Sequence, residues 1–274
     1  NQRCDPVWSE RELQHKLEDA FRHANPRKDF VSRASYSQFP RKAKVKIDPA
    51  TVVEKFLQGF RCDEVDLWEA SPMRPPDDWT QDAVVLLENL YLPGEQINYV
   101  TSYKLSTKAN GAIKAAPFGI GATDERDMLI TRWRELMPQS KAGGWLRMNP
   151  MDGRGGADVN VTAFRFALIE CDAIPVELQM PLLAKLPLPV AAILSSGGRS
   201  LHAWVRINAA NAEDFRHGVS RILALLAKFG VDTANKNPAR MSRLPGVVRQ
   251  IGAEGDGRQR LFYLNARPIQ KAIL

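Results

Sequence analysis

The residues most suited to chemistry lie in the second half of the chain. An apolar run, Ala163-Phe164-Arg165-Phe166-Ala167-Leu168-Ile169, ends in Glu170 and, two residues on, Asp172. Residues two apart on a strand share a face, so the two carboxylates are expected to project into one site. Side by side they repel unless a cation neutralises them, and oxygen ligands of this kind suit Mg²⁺ or Mn²⁺ better than zinc. Taken alone, the pair reads as two solvated acids at a strand end.

Two further features add weight. The stretch Ser195-Ser196-Gly197-Gly198-Arg199-Ser200-Leu201-His202 puts a glycine-rich turn, a guanidinium and an imidazole close together, a donor set suited to a polyphosphate. Farther on, Val231-Asp232 supplies a third acid, and Lys236, Arg240 and Arg243 supply three cations. For His202, nucleotide contact outweighs the role of a strand histidine satisfied by a neighbour. Lys236, Arg240 and Arg243 stay open between binding template or triphosphate and a capping or surface role. Arg165 either pairs with a motif carboxylate or faces solvent. Gly153-Arg154-Gly155-Gly156 lacks the Gly-Lys-Ser/Thr ending of a phosphate loop and reads as a flexible turn. Trp145, Trp204 and Phe166 sit among apolar strand residues and read as core.

These residues need a frame to hold them. Residues 163–170, 190–194 and 201–207 read as strands, and 176–186 as a helix. A long amphipathic helix is expected from 212 to 229, capped by Asn211, striped by Phe215, Val219, Ile222, Leu223, Leu226 and Phe229, and closed by Gly230. Upstream, a helix starts after Asp48-Pro49, with another over 81–90 and helical character again at 125–136. Strand-like segments fall at 97–103 and 113–118. The pattern is α/β with antiparallel strands, that is, an α+β fold. At the N-terminus, Ser9 and Glu12 form a capping box for a first helix, and a polar, basic connector with Arg27, Lys28, Arg33, Arg41, Lys42, Lys44 and Lys46 follows. The division expected is therefore 1–47, an N-terminal helix and basic linker, and 48–274, a catalytic domain made of a helix-rich subregion (48–140) and the motif region (141–274).

Bulk properties restrict the class less. With 38 basic and 31 acidic residues the chain carries a formal charge of +7 and a pI near 9.4, which suits a polyanionic partner such as nucleic acid. Mean hydropathy is −0.31, and no run approaches the roughly 20 apolar residues of a membrane helix. Cys4, Cys62 and Cys171 are far apart and odd in number, which points to a reduced, cytoplasmic setting without a structural zinc site. The chain begins at Asn1 rather than Met, as an excised part of a longer protein would.

Acid-x-acid, then Ser-x-His, then apolar-Asp, with 30 residues from 172 to 202 and 30 from 202 to 232, resembles the three motifs of the archaeo-eukaryotic primase superfamily. The layout is that of compact primase-polymerases from plasmids, phages and other mobile elements. The likeness is best over 145–246, and Glu170 departs from it, since many relatives carry Asp there. The resemblance implies a primase-polymerase core with a palm like an RNA-recognition motif. It also implies that Glu170, Asp172 and Asp232 bind two catalytic Mg²⁺ or Mn²⁺ ions, that His202 and Ser200 meet the incoming nucleotide, and that Arg199 faces its triphosphate. The expected activity is template-dependent nucleotidyl transfer, as a DNA primase, a DNA polymerase or both. Its partners would be a single-stranded DNA template, ribo- or deoxyribonucleoside triphosphates and a fused or associated helicase, with no membrane. The segment 8–13 resembles helical linkers of multidomain phage-type primases. Two other functions stay open: a catalytically silent replication-initiation module that binds DNA, and a repair-type nucleotidyltransferase that extends primers without starting them.

Overall fold

The computed structural model describes residues 48–107, 109, 111–135 and 139–274. The expected first helix and basic linker, 1–47, lie outside the described residues. Helices come first. α1 spans Pro49–Leu57, with Pro49 where a helix needs no amide donor and Asp48 accepting the Ala50 N–H. α2, Glu64–Ala70, opens on a capping box between Asp63 and Asp66. α3 covers Asp82–Leu90.

Four short strands follow, β1 Gln96–Val100, β2 Tyr103–Thr107, β3 Ile113–Pro117 and β4 Ala122–Glu125, and then α4, Arg126–Glu135. The second half contains β5 Trp145–Arg147, β6 Phe164–Glu170, α5 Val176–Lys185, β7 Val190–Ser195, β8 Leu201–Ala209 and α6 Ala212–Leu226. β9 Met241–Arg243, β10 Val247–Val248, β11 Arg258–Gln259 and β12 Leu261–Leu264 complete it. Asn211 caps α6 through the Glu213 and Asp214 amides, and the helix tightens to a 3₁₀ turn at Ala227–Phe229 before left-handed Gly230 ends it.

The architecture is α+β with antiparallel sheets. The main sheet has the order β12-β7-β8-β6 and a second has the order β4-β1-β5-β9, while β2 and β3 pair only with each other, as do β10 and β11. The main sheet is buried on both faces. Ala167, Ile169, Leu201, Ala203 and Val205 face a core shared with α1, α5 and α6. Phe166, Leu168 and Trp204 face a second core built with α3, α4 and the second sheet. Double burial is why residues 163–169 form a nearly unbroken apolar run rather than an alternating one. It also fixes a direction: His202, two residues from Trp204, points toward the second sheet, and so does Glu170, two residues from Leu168.

The expected strand over 97–103 is broken at Thr101-Ser102, where the chain leaves the second sheet to form the β2–β3 ribbon. β4, β5, β9 and β12 fall where the sequence shows no strand periodicity. Each has three or four residues and exists through its partner, as when Trp145 of β5 pairs with Arg243 of β9. Among the described residues no helix is long and apolar enough to cross a membrane. Cys171 is buried and Cys62 half-buried, and both are free thiols.

Candidate functional site

Glu170 and His202 are direct partners in the antiparallel pairing of β6 and β8. Their side chains therefore meet where both strands run out of the core, and His202 Nε2 lies 3.2 Å from Glu170 Oε2. On the other side of the ring, Nδ1 accepts the Arg243 backbone N–H at 3.2 Å and lies 3.0 Å from Ser242 Oγ. A backbone amide can only donate, so Nδ1 is the acceptor and the ring proton sits on Nε2, facing Glu170. Burial, then the Arg243 charge, pushes the His202 pKa down to about 3 against the pull of Asp172. The His202–Glu170 contact is thus a close approach of a neutral imidazole to a carboxylate and not an ion pair.

The other oxygen of Glu170 is also engaged. Asn235 Nδ2 donates to Oε1 at 3.0 Å, and the Arg240 guanidinium stands 3.8 Å from it. The same Arg240 nitrogen lies 3.9 Å from Asp232 Oδ2. Asp232 is brought alongside by its own backbone, whose N–H donates to the Glu170 carbonyl at 3.0 Å. One guanidinium thus serves two of the three motif acids. Asp172, just past the end of β6, is exposed and makes no hydrogen bond or ion pair among the described residues; its charge is nevertheless felt by His202, Arg243 and Arg249.

Arg243 is buried, with Nη1 donating to the Ala142 carbonyl at 3.0 Å and its guanidinium 4.4 Å above the Trp145 ring. Burial and the neighbouring Arg249 lower its pKa to about 9, so it remains a cation at neutral pH. Arg199 is 76% exposed, and its guanidinium lies 3.7 Å from Glu254. Ser200 Oγ donates to Ser196 Oγ within its own turn. Lys236 is exposed and makes no side-chain hydrogen bond or ion pair among the described residues. The structure thus gathers Glu170, His202, Asp232, Arg240 and Arg243, leaves Asp172 at the rim, and holds Arg199, Ser200 and Lys236 outside hydrogen-bonding range of the cluster.

Four positioning residues had no distinguishing mark in the sequence. Asn149 is buried and uses its whole amide: it donates to the Phe166 and Pro238 carbonyls and accepts from the Arg165 and Phe166 amides. It therefore ties the start of β6 to the segment that carries Arg240. Gln179 of α5 donates to the Arg199 carbonyl and accepts the Leu201 N–H, fixing the turn ahead of His202. Asn235 is buried, its Oδ1 without a hydrogen-bond partner among the described residues, while its Nδ2 is committed to Glu170. Arg249 lies beneath the 196–198 turn, with Nη1 3.4 Å from the Ser196 carbonyl. That turn needs its glycine: Gly197 has φ +66, and a Cβ there would lie 2.5 Å from the Gly257 carbonyl oxygen. Arg165 forms a two-pronged pair with Glu95 and does not reach a motif carboxylate.

A divalent cation can be weighed against this donor set. The carboxylates are hard oxygen ligands and they already draw a cation, so the chemistry fits Mg²⁺ or Mn²⁺. The grouping is less complete, because among the described residues no three or more His, Cys, Asp or Glu are arranged to hold a metal ion. Between Glu170 and Asp232 stands Arg240.

No family model and no curated protein matches the chain. Among solved structures it is similar to the AEP domain of the cyanophage S-2L primase-polymerase, at 18% identity and a TM-score of 0.42 over 72% of this chain and 94% of that one. It is also similar to the catalytic domain of the primase RepB′ in complex with initiator DNA, at 13% identity and a TM-score of 0.45 over 71% of this chain and 89% of that one.

Proposed function

We propose that residues 48–274 form a template-dependent nucleotidyl-transfer domain, a DNA primase or DNA polymerase that makes or extends primers on single-stranded DNA. One observation carries the reading. Three separate segments, ending β6, opening β8 and following α6, converge so that Glu170, His202 and Asp232 share one cluster with the cations Arg240 and Arg243. Acids and cations held together at the mouth of a buried sheet suit a substrate that brings both a divalent ion and a polyphosphate.

Glu170, Asp172 and Asp232 would hold Mg²⁺ or Mn²⁺, which when bound lowers the pKa of an attacking 3′-hydroxyl and neutralises the triphosphate. The protein's own residues do the remaining work. His202 stays neutral and offers Nε2–H as a donor without adding charge, while Ser242 and the Arg243 amide hold the ring in that tautomer. Arg240, a third exposed, is placed to leave the acids for a phosphate oxygen. Arg243, fixed by Ala142 and Trp145, supplies a positive charge that need not be reorganised during the reaction. In this reading Arg199, Ser200 and Lys236 meet the nucleotide from the rim, with Asp172.

A second reading has an observation of its own. A replication-initiation module that only binds DNA has no need to free Glu170, and here both Glu170 oxygens are engaged by neighbours. The two readings separate in one assay: the domain is incubated with single-stranded DNA, labelled nucleotides and Mg²⁺ or Mn²⁺, with and without a primer. Incorporation without primer indicates a primase, incorporation only with primer an extending enzyme of the repair type, and binding without incorporation the silent module.

A further inference from the structure

Among the described residues, the β2–β3 ribbon is the one pair of five-residue strands that joins neither four-stranded sheet. Residues 96–123 contain three lysines and no carboxylate, in a chain with 31 acids. The pairing of Lys104 with Ala116 and of Ser106 with Lys114 puts both lysines on one face as diagonal neighbours, about 7 Å apart. The opposite face carries Leu105 and Ile113, 57% and 58% exposed. At the root, Lys104 Nζ sits 3.7 Å above the Phe118 ring, itself about half exposed.

The root is anchored to the candidate site. Ala115 and Tyr103 pack with Trp145 and Met241, and Trp145 is the ring beneath Arg243. Buried Asn98 of β1 donates to the Ile120 and Ala122 carbonyls just after the ribbon and accepts Arg147 Nε at 2.8 Å. Arg147 Nη1 in turn donates to the carbonyl of Ala239, the residue before Arg240, at 2.6 Å. The root of the ribbon is therefore held in register with the segment that carries Arg240 and Arg243.

We infer that this ribbon is a grip for single-stranded nucleic acid leading to the Glu170–His202 cluster, an inference that rests on the nucleotidyl-transfer reading and adds a strand-binding element to it. The lysine face suits backbone phosphates, and the exposed apolar residues and Phe118 suit unstacked bases, which a duplex would keep inside. A carboxylate-free segment imposes no repulsion of its own on a polyanion approaching the lysine face.

The test measures binding of a fluorescent single-stranded oligonucleotide by anisotropy across a salt series. It compares wild type with Lys104→Glu/Lys114→Glu, with Phe118→Ala and with a charge-matched control, Lys228→Glu/Lys271→Glu; circular dichroism melts verify that each is folded. The ribbon pair should weaken binding at least tenfold at low salt and lower the log-log salt slope by about 1.4, since a single strand yields about 0.7 per phosphate contact. Phe118→Ala should weaken binding with little change in slope, and the control should stay within about twofold of wild type. Wild type that binds DNA while the ribbon pair matches the control would overturn this inference and leave the transfer reading standing. Wild type that binds no single-stranded DNA would remove both. Unchanged DNA binding with altered self-association in sedimentation would make the ribbon a contact between copies and likewise refute the grip.

Discussion

Glu170 and His202 face each other across β6 and β8 with 3.2 Å between Oε2 and Nε2, and the ring is neutral because Arg243 donates its amide to Nδ1 while burial disfavours the imidazolium. A neutral histidine beside a carboxylate is unusual enough to have consequences for stability, nucleotide handling and acid tolerance.

The first consequence is a pH dependence of folding. His202 protonates at about 3 in the folded chain and near 6.5 when unfolded. Between those values the unfolded state binds the extra proton, so this stabilisation is full above about 6.5 and is lost as pH falls toward 3. Asp82 acts oppositely. Its buried carboxyl, with Oδ1 unpartnered among the described residues, is pushed up to about 7 by burial, against an ordinary value near 4. The folded chain holds that extra proton, a contribution that is full below about 4 and lost as pH rises through 7. Urea midpoints measured across about pH 4 to 8 should fall more steeply toward acid in Asp82→Asn than in wild type. In His202→Asn they should instead fall toward neutral pH. Parallel curves for all three proteins would refute the assignment.

Arg240 separates function from stability. Its contacts of 3.8 and 3.9 Å to Glu170 and Asp232 are long and partly solvated, so Arg240→Gln should cost no more than about 1 kcal/mol by chemical denaturation. Incorporation should nevertheless fall at least tenfold, and metal-only Mn²⁺ binding, followed by calorimetry, should tighten because both acids are released. Unchanged Mn²⁺ affinity would mean that Arg240 does not occupy the cation's position.

Asn149 is the structural counterpart. Replacing it with Ala removes four hydrogen bonds and leaves the Phe166 and Pro238 carbonyls and the Arg165 and Phe166 amides without that partner, at a cost of about 3 kcal/mol or more. A loss below about 1 kcal/mol would show that β6 and the 238–240 segment hold their places without it.

Asn149 also marks where sequence reasoning stops. The strands bearing Glu170 and His202 are legible because a doubly buried sheet writes long apolar runs, and α6 because its stripe of Phe215, Val219, Leu223 and Leu226 repeats at helical spacing. The amide partners of Asn149 and Asn235 are not legible: Asn235 and Glu170 are 65 positions apart, and nothing local distinguishes a buried asparagine from a turn residue. The same holds for Arg165. Its pairing was open between a motif acid and solvent, and the answer, Glu95, is 70 positions upstream. β5 and β9 are three residues each, too short for any periodicity, although β9 ends in Arg243. The Gly-rich turn is readable as a turn; that Gln179 holds its backbone and that its Arg199 meets Glu254 is not encoded in the turn itself.

Asp172 provides the sharpest separation between a transfer site and a folded scaffold. It is exposed and unbonded among the described residues, while Cys171 beside it is buried and Ile169 fills the core, so Asp172→Ala should leave the strand packed and change stability by no more than about 0.5 kcal/mol. Removing its charge also removes a pull on His202, Arg243 and Arg249, which lowers local attraction for cations without touching a hydrogen bond. If Asp172 helps to hold a metal, Mn²⁺ with nucleotide should raise the melting temperature of wild type by ligand linkage and that of Asp172→Ala far less. Incorporation should drop to background while single-stranded DNA affinity persists. Equal melting shifts and equal incorporation in the two proteins would exclude Asp172 from the chemistry, and a metal held by Glu170 and Asp232 would then have to do without it.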